Sequence, residues 1–169
     1  MKIRNGFVTN SSSSSFILAF KDGEDYAKFE DECLQYDYRE ISRLIKKCIK
    51  YASDRTMDEV KKTAIENLYH WMTIDWRRNY MDKHIPKDIP FRDRLKLENE
   101  ILQSKNYKRA IKRFLSKTRY DELKKKIEDA EIVVDDTIWD SNGGILEYAI
   151  RNGILRTMYP WYVYQIDIG

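Results

Sequence analysis

Four carboxylates near the end of the chain have types and spacing suited to metal chemistry. Asp135 and Asp136 end a predicted strand, Asp140 opens the loop after it, and Glu147 falls on the next predicted helix. Carboxylates gathered at a strand end can hold Mg²⁺ or Mn²⁺ through oxygen ligands. The chemistry would then be phosphodiester hydrolysis or nucleotide processing. The competing reading is structural, because Asp and Asn are ordinary turn and cap residues. The strand-borne Glu-x-Lys partner of many nucleases is also absent. No cofactor is the leading expectation, with Mg²⁺ or Mn²⁺ as the alternative.

A second group carries positive charge. Residues 105–126 hold ten Lys and Arg against Asp121 and Glu122, a net of +8. Residues 127–169 hold eight acids against Arg151 and Arg156, a net of −6. The total of +3 hides this sorting, and sorting by segment says more about partners than the total does. Lys108, Arg109, Lys112, Arg113, Lys117 and Arg119 are the candidate partner-binding cations. Tyr107, Phe114 and Tyr120 are interleaved with them, a pattern that contacts phosphates while rings stack on bases. An acidic protein surface fits the same charges. So does a solvated face, since Ile111, Phe114 and Leu115 at helical spacing look like the buried side.

The third group is Asn10 with Ser11, Ser12, Ser13, Ser14 and Ser15. Half of the ten serines in the chain stand in these five consecutive positions. Small polar residues of this kind form turns and loops, because their side chains compete for backbone hydrogen bonds. Such a loop can cradle an anion, accept phosphorylation or let a partner backbone approach closely. It can equally be a solvated loop. Nucleophilic serine chemistry lacks support: a positioned base is needed, and only His70 and His84 exist. His70 lies beside Glu66 and Ile74 at four-residue spacing and reads as a core or flank residue. His84 has no partner visible in the sequence.

The opening, from Met1 to Phe16, resembles the start of many short phage and prophage proteins. Those begin with a basic residue, then x-G-F-V-[S/T]-N, a serine run and an apolar strand. The matching residues are Arg4, Gly6, Phe7, Val8, Thr9, Asn10, Ser11 to Ser15 and Phe16. A weaker similarity recurs over residues 140–153. The resemblance covers the first sixteen residues and implies a mobile-element setting without implying a reaction.

These groups need elements to position them. Residues 2–8 have β character, and Phe16-Ile-Leu-Ala-Phe20 reads as a strand buried on both faces. Helices are expected over 24–33, from Asp37 to about 52, from Thr56 to about 81, over 91–103, 106–116 and from Thr118 to about 130. Asp37 with Glu40, and Thr56 with Glu59, have the spacing of capping boxes. The connector 84–91 holds two of the three prolines and is a possible hinge within a single domain. A strand over 131–135, a helix over 145–152 and an alternating strand over 161–168 complete the chain. The expected class is α+β: a small sheet from the N- and C-terminal strands with a mostly helical insertion between them.

Composition sets the remaining bounds. Apolar residues make 42% and charged residues 35% of the 169, which fits a globular protein with a charged surface. Twelve tyrosines and four tryptophans argue against disorder and suit a binding surface. No segment approaches a membrane span in length, so a cytoplasmic protein in the host cell is expected, without membrane partners. Cys33 and Cys48 have no metal-type spacing and, in a reducing compartment, read as buried thiols. The function expected from all this is an accessory protein that binds a host macromolecule, an inhibitor or regulator without catalysis of its own. The expected partner is a host protein, with nucleic acid as the alternative. Sequence leaves the oligomeric state open.

Overall fold

A computed structural model describes residues 13–35, 39–51, 55–139 and 162–168. The described elements are β1 (Ser13–Phe20), α1 (Gly23–Gln35), α2 (Arg39–Tyr51), α3 (Met57–His84), α4 (Phe91–Gln103), α5 (Lys105–Leu115), α6 (Tyr120–Asp129), β2 (Ile132–Trp139) and β3 (Tyr162–Ile168). The architecture is α+β, with one small sheet built from the N- and C-terminal strands and helices between them. Among the described residues no helix is long and apolar enough to cross a membrane. The chain falls into two compact units, one of residues 1–64 with 126–169 and one of residues 65–125. The proline connector 84–91 lies inside the second.

The first unit is organised on β1. The strand order is β2-β1-β3 with both pairings antiparallel, so the N-terminal strand is central. Its five apolar residues, Phe16 to Phe20, are each at most 4% exposed. Side chains alternate between the two faces of a strand, so both faces of this one are covered. Phe20 meets Tyr26 edge-on at 5.1 Å and Phe29 at 5.3 Å, both from α1. Among the described residues, Phe29, Cys33, Ile45, Val60, Ala64, Ile127, Ala130, Val133 and Val134 complete the buried apolar set of this unit. Glu131 N–H closes the entry to β2 by donating to the Phe20 and Lys21 carbonyls at 3.0 and 3.1 Å.

Two expectations are corrected here. The serines are not all loop: β1 begins at Ser13, three residues before the apolar run. Ser13, Ser14 and Ser15 lie opposite Trp139, Ile138 and Thr137 on one side and Ile168, Asp167 and Ile166 on the other. A neighbour strand on each side supplies backbone partners that outweigh the local preference of serine for turns. For the same reason β2 does not stop at residue 135 but continues to Trp139. Asp135 and Asp136 are therefore mid-strand, opposite Ile17 and Phe16. Asn10, Ser11, Ser12, the strand expected over 2–8, Asp37 and the helix expected over 145–152 lie outside the described residues.

The helix starts follow the sequence signals. Asp22 caps α1, its Oδ1 accepting from Asp25 N–H at 2.9 Å. Thr56 and Glu59 form the expected reciprocal box on α3. Thr56 N–H donates to Glu59 Oε2 at 2.8 Å, and Glu59 N–H donates to Thr56 Oγ1 at 3.3 Å. These bonds to the ionised form hold the Glu59 carboxyl below its ordinary range.

The second unit contains most of α3, then α4, α5 and the start of α6. Its core joins Met81, Ile85, Tyr107 and Ile111, with Trp76, Tyr80, Ile89 and Leu97 among the residues packed on it. The two isoleucines that precede the prolines thus tie the connector down. Ser104 alone separates α4 from α5: its extended backbone ends the first helix, and its side chain accepts from Tyr107 N–H at 3.1 Å to start the second. Arg94 on α4 donates to Glu98 at 3.0 Å and to Asp82 of α3 at 3.2 Å.

Two outcomes test this account. Phe29→Ala removes the ring on which Phe20 packs, and denaturant unfolding should show a loss of about 3–5 kcal/mol. The Cys33 thiol is pushed up to about 12, first by burial and then by the charges of Glu32 and Glu30. Above about pH 9 the unfolded chain releases a proton that the folded chain keeps, so stability falls as pH rises from there toward 12. The urea midpoint should drop more steeply over that range than in Cys33→Ala. Parallel curves would contradict the assignment.

Candidate functional site: a basic and aromatic cleft

Helix α5 reads Lys-Asn-Tyr-Lys-Arg-Ala-Ile-Lys-Arg-Phe-Leu. At about 100° per residue, Lys105, Lys108, Arg109, Lys112 and Arg113 share one half of its circumference. Lys117, just past the helix end, continues the same arc. The other half carries Tyr107 and Ile111, which are buried, and Ala110, Phe114 and Leu115, which are partly buried. The helix forms because its apolar half closes the second core, and the same periodicity puts every lysine and arginine on the wet half.

These cations are exposed. Among the described residues no carboxylate forms an ion pair with Lys108, Arg109, Lys112, Arg113 or Lys117. Arg119 behaves differently. Its guanidinium donates to both carboxylate oxygens of Glu122, Nε at 2.9 Å and Nη2 at 2.6 Å. Of the six cations expected at the site, five share one arc and the sixth is committed to α6.

Beside that arc lies an open cleft of about 550 Å³, lined by Trp76, Tyr80, Asn106, Arg109, Ala110, Arg113, Phe114 and Lys117. Its wall is a run of rings. Trp76 stacks on Phe114 with centroids 5.3 Å apart and planes 18° apart. Tyr80 meets Trp76 at 5.1 Å, and His84 stacks on Tyr80 at 4.1 Å and 15°. Tyr107 closes the cluster from behind, edge-on to Tyr80 at 5.4 Å. Burial raises the Tyr107 phenol above its ordinary value. His84, which showed no partner in the sequence, has its Nδ1 2.8 Å from the Tyr80 carbonyl oxygen.

Trp76, Tyr80 and Asn106 were not among the expected site residues. The signal was present: Trp76, Tyr80 and His84 recur every four residues and so share a face of α3. What sequence could not supply was the pairing of that face with Phe114, thirty-eight positions away.

A second basic face was also missed. Arg39, Arg43, Lys46, Lys47 and Lys50 recur at helical spacing on α2 and line a cleft of about 520 Å³. Here α1 supplies counter-charge. Glu30 accepts from Lys46 at 2.6 Å and from the Ser42 hydroxyl at 3.3 Å, and Asp31 lines the same groove. The positive charge is partly paired on α2, whereas no carboxylate among the described residues pairs with Lys108, Arg109, Lys112, Arg113 or Lys117.

The acidic group is only partly placed. Asp135 and Asp136 are consecutive in β2, while Asp140, Glu147 and the Asp136 side chain lie outside the described residues. Among the described residues no three His, Cys, Asp or Glu side chains are grouped to hold a metal ion. Comparison of the chain with protein-family models, curated proteins and solved structures found no match.

Proposed function

We propose that this is a phage- or prophage-encoded accessory protein that acts by binding a polyanionic host macromolecule through the outer face of α5. One observation carries the reading: Lys108, Arg109, Lys112 and Arg113 are exposed on one arc of α5 with Lys117 just past its end, and no carboxylate among the described residues pairs with them. A structural role would pair at least some of them, as Glu122 pairs Arg119 and Glu30 pairs Lys46. Unpaired surface cations repel one another and gain nothing for the fold. They gain a great deal against a partner of opposite charge, where complementarity raises association rates and excludes wrong partners. The opening motif supports the mobile-element setting, and the wealth of tyrosine and tryptophan suits a contact surface.

The test is a charge reversal. Lys108→Glu, Arg109→Glu, Lys112→Glu and Arg113→Glu, made together, touch only the wet half of α5 and should leave the circular dichroism spectrum unchanged. Retention of the host partner in a quantitative pull-down should fall at least tenfold. Equal retention by the folded variant would sink the reading.

A further inference from the structure

We propose that the occupant of the α5 cleft is single-stranded nucleic acid, with phosphates on Arg109, Arg113 and Lys117 and a base against the Trp76–Phe114 wall. This rests on the reading of α5 as a polyanion-binding face and names the class of polyanion.

Three observations favour a nucleic acid over an acidic protein. The first is the wall itself. An acidic peptide asks for cations alone, whereas here the cations border a stacked run of Phe114, Trp76 and Tyr80. Every base has a flat face that such rings accept, whatever the sequence. The second is spacing. Arg109 and Arg113, four residues apart on α5, stand about 6 Å apart along the helix axis, and Lys117 follows in the turn beyond the helix end on the lining of the same cleft. That step is comparable to the separation of successive phosphates in an extended strand. The third is room. A cleft of about 550 Å³ falls in the ordinary range for small-ligand sites, about 300–1,000 Å³, so a flipped-out nucleotide can enter it. Arginine adds its own planar face and bidentate donors for phosphate. Asn106, also on the lining, offers a donor and an acceptor to a base edge. A duplex satisfies the cations but keeps its bases stacked on one another, away from the rings.

The experiment measures fluorescence anisotropy of labelled oligothymidylate and oligouridylate of about fifteen nucleotides, against a duplex of equal length. Labelled poly-glutamate serves as the acidic-protein probe. Single strands should bind at least tenfold more tightly than duplex or poly-glutamate. Arg109→Glu with Arg113→Glu should weaken single-strand binding tenfold or more, while reversal of Lys62 and Lys96 on other helices should not. Phe114→Leu keeps the apolar volume, and loss of its ring should cost several-fold in affinity with the fold intact. If Phe114→Leu unfolds the protein, quenching of tryptophan emission by the bound strand replaces it as the readout for stacking.

Equal binding of duplex and single strand would overturn the proposal, as would single-strand binding that neither Phe114→Leu nor tryptophan emission registers. Arg109- and Arg113-dependent capture of poly-glutamate in preference to oligonucleotide would overturn it while leaving α5 as a docking face. Failure of all three probes would remove both readings.

Discussion

The first unit depends on the burial of β1 between two strands drawn from the far end of the chain. Phe16 to Phe20 cannot be left in water, and each face of the strand carries residues that need cover. An edge position would leave a row of backbone donors and acceptors unpaired. Placing the N-terminal strand in the middle satisfies both demands. It also commits the chain to contacts more than a hundred residues apart, from Ser13 to Trp139 and Ile168. Closing such loops costs entropy before any contact rewards it, so the helices between must form on their own signals. They do: Asp22, the Thr56–Glu59 box and Ser104 each cap a helix start from within four residues.

The second unit uses aromatic packing where the first uses a sheet. Tyr107 and Ile111 lock α5 onto the core, and Trp76 then meets Phe114 on one side and Tyr80 on the other at the border of that core. The border is where chemistry becomes available. Rings that are half-buried hold their geometry and still present surface, and rigid aromatics make contact at low entropic cost. The helix that packs them also arrays the cations, so one amphipathic pattern packs one half of α5 into the core and leaves a positively charged arc on the other.

Much of the fold was legible because its signals are local. The apolar run of β1, the Thr56–Glu59 capping box and the two prolines before α4 mark boundaries that the structure keeps within a few residues. Ser13 to Ser15 were misread as loop because turn preference is also local, and the β2 and β3 partners that override it are not. The cations at 108, 109, 112, 113 and 117 were legible from charge and helical phase. Arg119 was grouped with them on charge alone, although Glu122 three residues on is a standard helix partner. Trp76 and Tyr80 were missed because a cleft needs two faces, and the sequence gives each face without saying which meets which. The basic arc of α2 was passed over because its net effect depends on Glu30, which belongs to another helix.

The central claim is that α5 binds through charge that the fold leaves unspent. The most direct measurement is the affinity for oligothymidylate as a function of salt, plotted as the logarithms of both. Release of counterions gives a slope of about −0.7 per neutralised phosphate on a single strand. Three contacts, from Arg109, Arg113 and Lys117, predict a slope of about −2, falling toward zero in the variant with Arg109→Glu and Arg113→Glu. A slope near zero in the wild-type protein, or one that this variant leaves unchanged, would contradict the account.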